Sequence, residues 1–157
     1  MNMVRKRIVI FLAILPLLLV CCSSTPTAES APTSISLKAE LAGGVWGQKF
    51  LVGLSGRSSL EGGMLFDFEE TVAVPFGMKD TCIPLSIAFI SEDKVILDIQ
   101  DMEPLSEDIS TPTEPYRYAL EVNKGYFPEN DIDVGDKVGF QEAELPCDVI
   151  IVFDKAA

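Results

Sequence analysis

Short stretches of alternating hydrophobic and polar residues run along most of the chain, which is the pattern of β-strands with one buried face. Residues 35–42 alternate in this way, and residues 116–122 repeat the pattern. Two further apolar stretches, residues 83–90 and 95–102, flank the polar tetrapeptide at 91–94. Because a short polar turn between two such stretches favours antiparallel pairing, they predict a β-hairpin.

The remaining hydrophobic stretches are shorter and predict more strands, with few helices between them. Residues 45–54 leave the choice open, because aromatic residues at helical spacing are mixed with helix-weakening glycines. Residues 103–115 are rich in proline and acid and predict a loop, and residues 123–130 have room for one helical turn. Further strands are expected at residues 64–68, 72–78, 137–140 and 148–153. About seven or eight short strands with one or two short helices indicate a mostly β fold, α+β at the margin, built as a small barrel or sandwich.

The N-terminus has the composition of an export signal. Arg5, Lys6 and Arg7 precede an apolar run over residues 8–20 that only Pro16 interrupts. A membrane-spanning helix needs about 20 apolar residues, so this run is short for a permanent anchor and suits the hydrophobic region of a signal peptide. A signal peptide cut elsewhere and an uncut anchor are the alternatives.

The end of the apolar run resembles a bacterial lipobox, in which a small residue precedes a cysteine that is acylated. Cys22 is the better candidate, because Cys21 is then the small residue before it, whereas acylation of Cys21 would put Val20 before the cut. Lipidation predicts an extracytoplasmic protein attached to the cell membrane or outer membrane through its N-terminus. Residues 23–34 are rich in serine, threonine and proline and predict a flexible tether. The chain therefore divides into a signal peptide at 1–22, this tether, and one globular domain at 35–157.

Composition excludes several classes of function. The chain carries 12 basic and 24 acidic residues; three of the basic ones lie in the predicted signal, so the mature chain keeps nine and has a net charge of −15. Such a surface repels phosphate backbones, and no nucleic-acid partner is expected. The chain contains no histidine, which excludes Ser-His-Asp and Cys-His catalysis and His-rich zinc sites. No cofactor and no metal are expected.

Two cysteines, Cys82 and Cys147, remain in the predicted domain. Outside the cytoplasm such a pair often forms a disulfide, which is the expectation here. The alternative is two free thiols that pack as small hydrophobic side chains.

Several motifs occur in an order that resembles a known family. They are GLSGRSSL at 53–60, GMLF at 63–66, FGMKDTCIPLSIAFI at 76–90, MEP at 102–104, YALEVNKGYF at 118–127 and VGDKV at 134–138. Together they resemble the domain of unknown function 192 family over about residues 35–140. The resemblance implies a compact β-rich domain, often exported, and no established activity. The chain departs from the family pattern at Ser55, Gly77, Asp80 and Ser86, where the family has methionine, tryptophan, asparagine and aspartate.

The polar residues inside these motifs are the candidate ligand-binding residues: Arg57, Lys79, Asp80, Thr81 and Glu103. As a site, they would form a mixed-charge pocket for a small polar or anionic ligand, in which the arginine clamps a carboxylate. As structural residues, they would make ion pairs and turn hydrogen bonds that stabilise the barrel.

The expected function is a lipid-anchored module that binds a small ligand or a cell-envelope protein, with no catalytic residue assigned. The alternative is a hydrolase-like or other enzyme in which Lys79 acts as a base with a nearby hydroxyl, from Thr81 or Ser86, or with a carboxylate. No hydrolase motif surrounds these residues.

Overall fold

The main body of the domain is a curled sheet of seven strands. A computed structural model of the chain describes residues 34–43, 53–145 and 147–156. The strands are β1 (Ile35–Gly43), β2 (Gly63–Val72), β3 (Phe76–Gly77), β4 (Leu85–Ile90), β5 (Ile96–Met102), β6 (Ile109–Ser110), β7 (Tyr116–Asn123), β8 (Lys137–Glu142) and β9 (Asp148–Asp154), with the short helix α1 (Tyr126–Glu129). The sheet has the order β5-β4-β7-β2-β1-β9-β8, and β3 pairs separately with β6. The expected mostly β class is confirmed.

Most neighbours in the sheet are antiparallel, and β1 and β2 form a parallel pair in which Ala39 lies opposite Gly63. The two outer strands approach each other at one end, where Val95 forms an isolated bridge with Lys137. Val138 donates its backbone N–H to the carbonyl of Lys94 at 2.8 Å. These bonds join the β4–β5 hairpin to the start of β8, so the sheet curls into a half-barrel.

Both faces of the central strands are buried, which produces two hydrophobic cores. The first, the seven-strand core, takes residues from every strand of the large sheet, including Leu37, Leu65, Ile90, Ile96, Leu120, Val138 and Ile151. The second, the loop-covered core, lies on the other face of β2, β4 and β7, where Leu54 and Leu60 from one loop and Met78 and Ile83 from another cover Phe66, Ile87 and Phe89. All six residues of β4 are buried as a result.

The part of the chain that carries the predicted signal, Cys22 and the tether up to residue 33 lies outside the described residues, as does most of the ambiguous segment at 45–54. Within the described residues, no helix has both the length and the hydrophobicity to cross a membrane.

Candidate ligand-binding pocket

A pocket of about 310 Å³ lies at the edge of the loop-covered core. Phe66, Phe68 and Phe76 form its apolar wall, with Val74 and Pro75 beside them. Its polar side chains are those of Ser55, Lys79, Thr81 and Glu121. The volume is at the lower end of the range for small-molecule sites, and the combination of an apolar wall with a few polar groups is found in such sites.

The aromatic wall is held by edge-to-face contacts. The ring of Phe76 lies 5.2 Å from that of Phe66 and 6.4 Å from that of Phe68, both nearly perpendicular. Tyr116, which is fully buried, stacks edge-on against Phe68 at 5.5 Å and donates its hydroxyl to the carbonyl of Val74 at 2.7 Å. This bond fixes the bend between β2 and β3, and the bend positions one side of the pocket.

Glu121 is the unusual member of the lining. It lies on β7 opposite Met64 of β2 and Ile87 of β4, so its neighbours in the sheet are apolar. Only 5% of the residue is exposed, and its Oε2 has no hydrogen-bond partner among the described residues. Burial disfavours the charged form and raises the pKa of the Glu121 carboxyl to about 7.

The backbone of the turn at 53–56 passes close to this carboxyl. A Cβ added to Gly53 would lie 3.4 Å from Cζ of Phe66 and 3.8 Å from Oε2 of Glu121. Gly53 also has a positive φ of 52°, which glycine adopts without steric cost. A glycine here lets the turn approach the carboxyl without covering it with a side chain.

Two of the expected site residues, Lys79 and Thr81, line the pocket together. Thr81 is buried in a turn, where its N–H donates to the carbonyl of Met78 and its own carbonyl accepts from Leu105. Lys79 is exposed, and no ion pair of its ammonium is found within the described part of the chain. The two residues therefore offer the pocket a hydroxyl and a cationic donor.

Asp80, between these two residues, is exposed and has a positive φ of 62°. Its carbonyl accepts the backbone N–H of Gly56 at 2.8 Å. This bond ties the turn at 53–56 to the turn at 78–81, so the backbone of Asp80 helps to shape the pocket, which its side chain does not line.

The other two expected residues, Arg57 and Glu103, pair with side chains that do not line the pocket. Arg57 makes a bidentate ion pair with Glu40, with distances of 2.7 and 2.8 Å. The hydrogen bond from Arg57 holds the pKa of Glu40 below its usual value. Glu103 accepts a hydrogen bond from the ammonium of Lys124. Neither Arg57 nor Glu103 lines the pocket.

The expected disulfide is absent from the described structure, because Cys82 and Cys147 are both free, exposed thiols. Cys82 precedes β4 and Cys147 precedes β9, and β7, β2 and β1 separate these two strands in the sheet. Bonded cysteines have Cα atoms about 4.4–6.8 Å apart, which is little more than one strand spacing.

The hydroxyl of Ser86 makes its hydrogen bonds outside the pocket. Ser86 is fully buried, donates to Asp101 at 2.6 Å and accepts the N–H of Gly125 at 3.2 Å. Its neighbours in β4, Leu85 and Ile87, both belong to the loop-covered core. Because side chains alternate along a strand, Ser86 lies on the opposite face from the pocket.

Comparison with known proteins gives the family. Residues 28–140 match the family model of the domain of unknown function 192, described as an uncharacterised ACR. The chain belongs to this family. The expected resemblance is thereby confirmed, and it covers most of the sheet described above.

Two solved structures are similar to this family member. A crystal structure from Sinorhizobium meliloti, described provisionally as a transcription regulator, is 31% identical, with a TM-score of 0.58, and the match covers 69% of this chain and 95% of that one. A protein of unknown function from Novosphingobium aromaticivorans is 29% identical, with a TM-score of 0.58, and the match covers 65% of this chain and 81% of that one. No curated protein matches the chain significantly.

Proposed function

We propose that this family member is an extracytoplasmic, lipid-anchored module that binds a small ligand in the pocket lined by Lys79, Thr81 and Glu121. The observation that carries the proposal is the buried Glu121 carboxyl, whose Oε2 lacks a partner among the described residues. A buried polar group without a partner reduces the stability of a fold. A ligand that donates a hydrogen bond to this oxygen would offset that loss of stability.

The location proposed for the module follows from the N-terminus. Three basic residues, a short apolar run and Cys22 have the order of a lipoprotein signal, and the membrane is then a partner through the lipid. The acidic composition disfavours nucleic acid. For that reason the regulatory role given to the Sinorhizobium meliloti relative is not extended to this chain.

Binding is preferred over catalysis because Lys79 lacks the burial that the enzyme alternative requires of its base, and because Ser86 does not face the pocket. A lysine acts as a base at neutral pH when burial removes its solvent, whereas Lys79 is exposed. The hydroxyl of Ser86 belongs to the opposite face of β4. Thr81 stays close to Lys79 in the lining and is assigned here to ligand binding.

The test is a thermal-shift screen of the full chain, purified in mild detergent, against a library of small metabolites. A compound present at 100 times its dissociation constant stabilises the folded state by about 2.7 kcal/mol and raises Tm by several degrees. We expect at least one compound to do so, and we expect Lys79→Ala, which removes a charge from the lining, to change the size of the shift.

Lys137→Ala is the matched control, because Lys137 is an exposed lysine on β8 that does not line the pocket. Both alanine variants are expected to melt within about 1–2 °C of the unmodified chain without ligand, since exposed substitutions change stability by about 0.5 kcal/mol or less. A screen without hits, or hits that respond equally to both variants, would contradict the proposal.

A further inference from the structure

The chemistry of the pocket narrows the class of ligand. Its floor is a carboxyl group held between apolar neighbours, and its wall is a set of phenylalanine rings. An ionised carboxylate only accepts hydrogen bonds. The partner that Oε2 of Glu121 lacks among the described residues is therefore a donor when the group is charged.

An ammonium group on an apolar body satisfies both parts of this lining. It donates hydrogen bonds to a carboxylate and compensates the buried charge. The apolar body that carries the ammonium group meets the second part of the lining, because it packs against the phenylalanine rings. Phe66, whose Cζ lies beside the turn at Gly53, brings such a ring close to the same carboxyl.

We propose that the pocket binds a small amine with an apolar body, whose ammonium group pairs with the Glu121 carboxylate while the body packs against Phe66, Phe68 and Phe76. This inference rests on the proposed binding function and specifies its ligand class. The size of the pocket, about 310 Å³, suits a molecule built around a single ring.

The charge of Glu121 determines whether the affinity for the ligand rises or falls with pH, and this direction can be measured. Its pKa is raised to about 7 by burial, so the empty pocket changes from mostly neutral to mostly charged between pH 6 and pH 8. Met64, Phe66, Ile87 and Gly53, which surround the carboxyl on β2, β4 and the turn, carry no charge. Lys79 is the other charged side chain in the described lining.

An ammonium ligand selects the charged carboxylate, so its affinity rises with pH. With a pKa of about 7, the charged fraction increases about tenfold from pH 6 to pH 8, and the affinity should increase by the same factor. A ligand that accepts a hydrogen bond from the neutral carboxyl would show the opposite trend. The direction of the pH dependence therefore distinguishes the two classes.

The experiment is calorimetric titration of the full chain with benzylamine, benzoate and benzyl alcohol, which share one ring and differ in the polar group. At pH 8 benzylamine should bind at least tenfold more tightly than the other two, and its affinity should fall about tenfold at pH 6. Glu121→Gln, which keeps the shape of the side chain, should remove both effects. Lys79→Ala should leave the pH trend in place.

The unmodified chain supplies the pH comparison, so the test does not depend on how the variant folds. Benzoate or benzyl alcohol binding as tightly as benzylamine would overturn the amine inference and leave the binding function standing. An affinity for benzylamine that is flat or rises toward pH 6 would overturn it as well. If none of the three probes binds, the amine class is wrong, and the metabolite screen decides the binding function separately.

Discussion

A single buried carboxyl, that of Glu121, carries most of the chemistry inferred for this molecule. Its pKa in the folded state is about 7, raised from 4.5 by burial. The folded protein therefore holds this proton more tightly than the unfolded chain does. Below pH 4.5 the group is neutral in both states and costs nothing, and the cost grows as pH rises from 4.5 to 7. Above pH 7 the penalty is complete, at about 3 kcal/mol.

Glu121→Gln should remove this penalty, because an amide does not ionise. We expect the free energy of unfolding of the variant to exceed that of the unmodified chain by about 2–3 kcal/mol more at pH 8 than at pH 5, where part of the penalty already applies. Urea unfolding of both proteins at the two pH values measures the difference.

Glu61→Gln is the control, since Glu61 is an exposed glutamate in the loop before β2. Its stability difference from the unmodified chain should stay within about 0.5 kcal/mol at both pH values. If Glu121→Gln showed the same small change at pH 5 and at pH 8, the carboxyl would not be desolvated as the structure has it.

The sequence pattern does not predict a buried Glu121, and the reason is physical. In residues 116–122 it occupies a polar position of an alternating strand, which predicts a solvent-exposed face. The loops that contribute Leu54 and Met78 cover that face instead. The signal that could have found it is the neighbouring strand at 83–90, which is apolar at nearly every position and so indicates burial on both faces.

At the scale of elements, the positions of most strands were predictable from the sequence, whereas the pairing of strands distant along the chain was not. The β4–β5 hairpin follows directly from two apolar stretches and a polar turn. β3 and β6 have two residues each and pair across more than 30 positions of sequence. β3 falls within the strand expected at 72–78, whereas β6 falls within the loop predicted at 103–115. The strand expected at 64–68 also ends too early, because the apolar run stops at Phe68, whereas β2 continues through an irregularity to Val72.

The parallel pairing of β1 with β2 depends on a close approach at Gly62. This residue has a positive φ of 79°, and a Cβ added to it would lie 2.1 Å from the carbonyl oxygen of Lys38. Gly62→Ala therefore combines a backbone penalty with a collision against backbone that cannot move without breaking the strand pair. We expect a loss of several kcal/mol in unfolding free energy, or failure to fold.

Gly56→Ala separates these two causes. Gly56 has a similar φ of 74°, but nothing lies within 4 Å of its added Cβ. Only the left-handed backbone penalty applies, about 1–2 kcal/mol. Urea unfolding of the two variants measures the difference, and equal losses would show that the contact with Lys38 contributes nothing.

At the scale of the whole molecule, the location predicted from the N-terminus can be compared with the state of the cysteines in the domain. The free, exposed thiols of Cys82 and Cys147 remove the disulfide as a sign of an oxidising compartment. Placement outside the cytoplasm therefore rests on the signal alone, and above all on Cys22. The hydrophobic pattern predicted the fold class, while the pairing of the thiols could not be derived because it depends on which strands become neighbours.

Cys22→Ala tests this placement directly. An acylated cysteine with more than one chain holds a protein stably on a membrane, and its loss removes the anchor. We expect the unmodified chain to fractionate with membranes and to incorporate a labelled fatty acid, and Cys22→Ala to lose the label. Cys21→Ala is the matched control, because alanine keeps a small residue before the acylated position, and it should retain both label and membrane association. A chain recovered without lipid from the cytosol would contradict this placement, whereas a label that follows Cys21 would move the acylated position by one residue.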